Sequence, residues 1–266
     1  MFDSYLASPS DLEVITDALK IVQSAKLSPV FKDRTKITST AVVSYDSQFV
    51  YLWKINPVRL DQKIPHALSI PNQWQERWQA TSLPESIKKY LPNEKTAIWG
   101  GLLTPFMALQ KKRGIANNPY VTEASYHATI VHEFGHIYWN QFKLWWLSDK
   151  DNNLKLLKIA KEAYLGQKPI DPIDVNLPSL LVKGETFAFC TEYYASQLFW
   201  PQHQANIDKF AITQIAKMIK KEKVTDLDNE DSTLEPDKHP HLFAITTGKI
   251  LLTQACGVWD IIDLAV

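Results

Sequence analysis

Apolar positions along this chain follow two rhythms, one near the helical repeat and one alternating, and their order divides the sequence. Leu12, Ile15, Leu19 and Val22 recur at three- and four-residue spacing behind Ser8-Pro9-Ser10-Asp11, a capped start with proline in its first turn. A first helix is therefore expected, ending near Leu27. Over residues 38–55 the text becomes β-like: Ala41-Val42-Val43-Ser44-Tyr45, then the turn pair Asp46-Ser47, then Phe49-Val50-Tyr51-Leu52-Trp53, which predicts a hairpin. Residues 57–71 are irregular, and short helical pieces are expected near 73–79 and 84–90. Lys95-Thr96-Ala97-Ile98-Trp99-Gly100-Gly101 predicts one more strand, stopped by glycine.

The second half is patterned for helices. Asn118-Pro119 and Thr122 precede an uninterrupted segment with Val131, Phe134, Ile137 and Tyr138 as its apolar positions. Phe142 to Leu147 is aromatic-rich text suited to packing. Residues 151–165 are amphipathic and end at Gly166, before a proline-rich loop that runs through Pro178. A strong helical segment over 184–200 is stopped by Pro201, and another over 204–221 carries Ile207, Phe210, Ile212, Ile215 and Ile219. Residues 225–237 are acidic and polar, as in a surface loop, after which Pro240 sits in the first turn of a final helix.

Composition narrows the class only a little. With 266 residues, 45% hydrophobic and 22% charged, the chain can bury a substantial core. Lys+Arg number 29 and Asp+Glu 29, so nothing points to nucleic acid or an anionic membrane as partner. No basic, then apolar, leader is visible at the start and no run reaches about 18 apolar residues, so neither a secretory signal nor a membrane span is expected. Two cysteines, Cys190 and Cys256, lie in apolar helical text and suit buried free thiols, hence a cytoplasmic setting, with a single disulfide between them as the alternative.

Chemistry enters with His132-Glu133-Phe134-Gly135-His136, an H-E-x-x-H pattern inside the helical segment. Residues four apart share a helix face one turn apart, so the two imidazoles can close on one cation. Two neutral nitrogens fill two of four tetrahedral zinc positions, and Glu133 is placed to act on a water as general base. Catalytic zinc sites add one more protein ligand and keep a position open. A downstream carboxylate or imidazole on a rigid element is therefore expected. Glu185 and Glu192 both qualify: seven residues apart, they face the same way on one helix, about 10 Å apart along its axis, so only one can ligate.

His132-Glu133-Phe134-Gly135-His136 taken with Glu185-Thr186-Phe187-Ala188 resembles the gluzincin metallopeptidases, and within them the lethal-factor-like branch, whose E-x-F-A segment carries the third ligand. The resemblance covers residues 122–141 and 184–201. It implies Glu185 as the ligand, with Glu192-Tyr193-Tyr194-Ala195, a second copy of the same text, as a supporting carboxylate or a helix-surface pair. The branch carries an acidic residue four positions after the ligand, where Phe189 stands. It also implies that a His or Tyr steadies the oxyanion: His239 is the first candidate, with His241, Tyr193 and Tyr194 as alternatives. The strand over 95–101 would be the edge that pairs with extended substrate. His66, His127 and His203 show no ligand-like spacing.

The expectation is thus an α+β, zincin-like fold with a small N-terminal mixed sheet and a mostly helical C-terminal half. It is a single catalytic domain over 1–266, with an α/β part at 1–115 and a metal-bearing helical part at 116–266. The expected activity is peptide hydrolysis with one Zn2+ held by His132, His136 and Glu185, Glu133 and His239 as catalytic residues, and a peptide or protein as substrate. The rival expectation is a non-hydrolytic metal- or peptide-binding module.

Overall fold

A computed structural model describes residues 9–28, 30–31, 41–45, 49–54, 66–69, 96–100, 118–138, 153–167, 180–220, 222–225, 230–231 and 239–254. The chain divides into two compact units, Met1–Leu109 and Gln110–Val266.

In the first unit, α1 spans Pro9–Val22 and buries Val14, Ala18, Leu19 and Val22; Leu19 and Val22 belong to the expected stripe, and the side chains of its other two members, Leu12 and Ile15, lie outside the described ones. A 3-10 turn over Ala25–Leu27 follows, with the Ser24 hydroxyl accepting the Lys26 amide. Four short strands are traced by their backbone: β1 (Ala41–Tyr45), β2 (Phe49–Lys54), β3 (His66–Ser69) and β4 (Thr96–Gly100), in the order β3-β2-β1-β4. The β1/β2 and β2/β3 pairs are antiparallel and β1/β4 is parallel, with Val43 opposite both Leu52 and Ile98.

The second unit carries α2 (Glu123–Tyr138), α3 (Asn153–Tyr164), α4 (Leu180–Phe199), α5 (Pro201–Ile219) and α6 (Pro240–Gln254). A two-residue ladder joins Val224–Thr225 to Glu230–Asp231. Helix α2 starts where its text says it should: Thr122 and Ser125 exchange backbone-to-hydroxyl bonds of 3.0 and 3.1 Å, a capping box with serine in the third position. Helix α3 ends in a Schellman arrangement, Gly166 to Ala163 and Gln167 to Glu162, with Gly166 at φ 80°. Pro201 opens α5 immediately after α4, because its fixed φ suits a first turn and its missing N–H costs nothing there.

Helix α4 is the axis of this unit. From Gly184 to Ser196 it is buried on every side except at the half-buried Tyr194. Phe189 and Tyr193 join Leu157 and Tyr164 of α3, Ile207, Phe210 and Ile215 of α5 and Leu242 and Ile245 of α6 in one core. Its two flanks are closed by glycines on its neighbours. A Cβ at Gly135 of α2 would stand 2.7 Å from the Ala188 Cα, and one at Gly248 of α6 would stand 2.6 Å from Phe189 Cδ1.

The expected fold class is corrected by this arrangement. Among residues whose side chains are placed, helix accounts for 81%, and the N-terminal mixed sheet of the α+β, zincin-like expectation is not among them. Alternating, β-branched text reports only that a segment suits a pleated surface. It does not supply the second layer that a sheet must be packed on, and among the described side chains the buried layers are helix on helix. The helical pieces expected near 73–79 and 84–90, the aromatic run 142–147 and Cys256 lie outside the described residues. No described helix is long and apolar enough to cross a membrane.

Candidate metal centre

Two adjacent helices bring the donors together. His132 and His136 lie one turn apart on α2, and Glu185 reaches them from α4. The contact is close because Gly135, between the two histidines, lets the α2 backbone lie against Ala188, one turn beyond Glu185. Sequence spacing alone does not disclose that requirement. A glycine inside a helix, where alanine is favoured by about 1 kcal/mol, is the signal that could have shown it.

The three donors form a small triangle. His132 Nε2 is 3.1 Å from His136 Nε2 and 3.2 Å from Glu185 Oε2, and His136 Nε2 is 3.5 Å from Glu185 Oε1. Together they make up a group that could hold a metal ion. Donors about 2.0–2.1 Å from one tetrahedral cation stand roughly 3.3 Å from each other, which the His132–His136 and His132–Glu185 separations match, and two imidazoles with a carboxylate are a donor set suited to such an ion.

Glu192, two turns further along α4, binds the other side of the same ring. His132 Nδ1 donates to its Oε2 at 3.0 Å, which fixes the tautomer and leaves Nε2 to face the triangle. The two carboxylates thus share one imidazole, one on each nitrogen, which is how side chains seven residues apart both reach α2. Its second oxygen, Oε1, accepts from His203 Nε2 of α5 at 3.2 Å. His203 lacks ligand-like spacing in the sequence, and its contact with Glu192 comes from the third dimension alone.

Charge follows this geometry. Burial disfavours a charged imidazole at His132, yet the hydrogen bonds of Glu185 and Glu192 outweigh it and hold its pKa well above the usual range. Burial would likewise raise Glu185, but His136, His132 and His241 hold its carboxyl well below the ordinary value. Glu192 is held at about 2 against its own burial by His132 and His203. Glu133 is the exception. Burial pushes its carboxyl up, only partly opposed by His136 and His132, so it is the acidic side chain here best disposed to take a proton.

Of the remaining oxyanion candidates, Tyr194 is half-buried on α4, and the other three differ in what they meet. His241 Nε2 lies 3.6 Å from Glu185 Oε2, so His241 is the imidazole of the Asp237-Lys238-His239-Pro240-His241 stretch that reaches the triangle. His239 is fully buried at the start of α6, without the exposed ring surface that contact with a substrate needs. Tyr193 is committed elsewhere: its hydroxyl donates to Asp208 Oδ1 at 2.6 Å and accepts from Gln204 and Lys249. Cys190 is a buried free thiol against the Gly248 carbonyl.

No family model matches the chain, and neither a curated protein nor a solved structure does.

Proposed function

We propose that this protein is a zinc-dependent metallopeptidase in which His132, His136 and Glu185 hold one Zn2+. The observation that carries the proposal is the meeting, from two helices, of two imidazole nitrogens 3.1 Å apart with the carboxylate of Glu185, whose Oε2 is 3.2 Å from His132 and whose Oε1 is 3.5 Å from His136, while the carboxylate of Glu133 stands outside the donor set. A purely structural zinc site prefers four closed protein ligands and has no use for a base. Two nitrogens with one carboxylate suit zinc, and the pairing of His132-Glu133-Phe134-Gly135-His136 with Glu185-Thr186-Phe187-Ala188 supports peptide hydrolysis.

Bound zinc supplies Lewis acidity toward a substrate carbonyl and an attacking water. Glu133 accepts the proton that this water gives up as its oxygen bonds to the carbonyl carbon. It returns the proton to the leaving nitrogen as the C–N bond breaks, giving an amine and a carboxylic acid, whose own proton passes to the amine at neutral pH to leave a carboxylate and an ammonium. The carboxyl, lifted by burial, is suited to holding a proton between those two events. Glu192 keeps His132 in the tautomer that offers Nε2. His241, beside Glu185, takes the oxyanion role that the sequence offers to His239. The buried thiol of Cys190 suits the cytoplasmic setting we assign.

The test is metal content together with chelator-sensitive cleavage of a denatured protein. Wild-type chain should carry one zinc and cleave; E133Q should keep the zinc and lose turnover. Full hydrolysis by zinc-loaded E133Q overturns the mechanism. Zinc uptake by the wild-type chain without cleavage would favour a non-hydrolytic binding module.

A further inference from the structure

We infer that His203 is a positioning residue for the metal centre, acting on His132 through Glu192. The inference rests on the metal-binding part of the proposed function and does not depend on peptide hydrolysis.

Three side chains from three helices form one unbroken chain of contacts. His203 Nε2 on α5 meets Glu192 Oε1 on α4 at 3.2 Å, and Glu192 Oε2 meets His132 Nδ1 on α2 at 3.0 Å. Beyond it, His132 Nε2 faces Glu185 and His136. The His203 and Glu192 side chains are 0% and 1% exposed, so water cannot replace either contact. A carboxylate only accepts, so both imidazoles donate to it, and each oxygen of Glu192 has one assigned donor.

Among the described residues, Glu192 is the one hydrogen-bond partner of the His203 ring. Its Nδ1 has no hydrogen-bond partner among the described residues, and the Tyr120 ring packs edge-on against it at 5.5 Å. Leaving a buried ring nitrogen unmatched is unfavourable, and an apolar residue of the same volume would avoid it. What the imidazole supplies in return is the donor to Glu192 Oε1. Without that donor the carboxylate is free to turn about its last bond, and the oxygen on His132 Nδ1 is no longer held. The ligand ring then loses both its orientation and its fixed tautomer.

A packing role and a positioning role are separated by comparing H203F, H203M, H203Q, E192A and the E192A/H203F double variant. Far-UV circular dichroism establishes which of them are folded. Zinc affinity by chelator competition and the visible spectrum of the cobalt-substituted protein are the readouts. H203F should weaken zinc binding by roughly 10- to 100-fold and change the cobalt spectrum. H203Q, whose amide can still donate, should recover most of the loss. In the E192A background H203F should add little further, because its effect passes through Glu192. H203M, which fills the space without a donor, carries the comparison if H203F does not fold.

Zinc affinity and a cobalt spectrum unchanged by H203F or H203M would overturn the inference and leave the metal site standing. Losses that simply add in the double variant would overturn it as well. Failure of the wild-type chain to bind zinc at all would overturn both the inference and the reading beneath it.

Discussion

Gly135 of α2 and Ala188 of α4 approach so closely that a Cβ on the glycine would stand 2.7 Å from the alanine Cα and 3.3 Å from its Cβ. The obstructing atom is backbone, so it cannot rotate away. G135A should therefore push α2 and α4 apart, costing about 1–3 kcal/mol of stability and weakening metal binding at the same time. Thermal unfolding with and without zinc reads both effects. A variant as stable and as zinc-avid as wild type would show that the helices are not this close.

The two carboxylates of α4 should fail differently. E185A removes a donor and should abolish stoichiometric zinc, whereas E192A removes the hydrogen bond to His132 Nδ1 and should cost roughly 10- to 100-fold in affinity while leaving one zinc per chain at saturation. Competition titration of the two variants decides the matter. The reverse order of severity would exchange their roles.

Acid should loosen the metal-free protein through Glu192. Burial would raise this carboxyl, but His132 and His203 hold it at about 2 against an ordinary 4.5. A carboxyl depressed on folding contributes stability that is whole above pH 4.5 and is lost as the pH falls toward 2. Urea midpoints followed through that window should fall steeply in wild type and less so in E192Q. Parallel profiles would assign the acid limb to another group.

Zinc should compete with a proton at His132. Its pKa is raised well above 6.5, so the stability it contributes without metal is whole below pH 6.5 and lost as the pH climbs through the raised value. Zinc needs the neutral ring, so its affinity should increase over the same range and binding should release protons. Calorimetry in two buffers of different ionisation heat measures the release. An identical heat in both would contradict it.

His241 and Tyr193 should separate chemistry from scaffold. H241A should keep zinc and lose about 100-fold in kcat if this imidazole meets the developing charge on the substrate. Y193F breaks the bond to Asp208 and should cost on the order of 1 kcal/mol in stability with kcat unchanged. A large kcat loss in Y193F with H241A unaffected would transfer the role to the tyrosine.

The sequence made some of this legible and not the rest, for physical reasons. Local signals act within a few residues, and they locate the start of α2 through Thr122, the stop of α3 at Gly166 and the break at Pro201. The i, i+4 histidines and the carboxylate side chains two turns apart are likewise local facts about a helix, which is why His132, His136, Glu185 and Glu192 could all be singled out. His203 and Gly248 could not, because each matters only through a helix far away in the chain. The choice of His239 over His241 was beyond sequence for a similar reason. Near a helix start, two residues apart, one imidazole points inward and the other toward Glu185, and only the packing of α6 on α4 decides which. The α+β expectation was corrected because the described side chains pack helix on helix, and strand-like text reports only that a segment suits a pleated surface.

Helix α4, closed in from Gly184 to Ser196, has one further consequence. Amide protons exchange with deuterated solvent through openings of the structure, and an element walled in by its neighbours can open only when they come away together. The α4 amides should be the last of this unit to exchange. The two glutamates would then ride on its slowest-breathing element, and their spacing to the histidines would persist through every motion short of global unfolding.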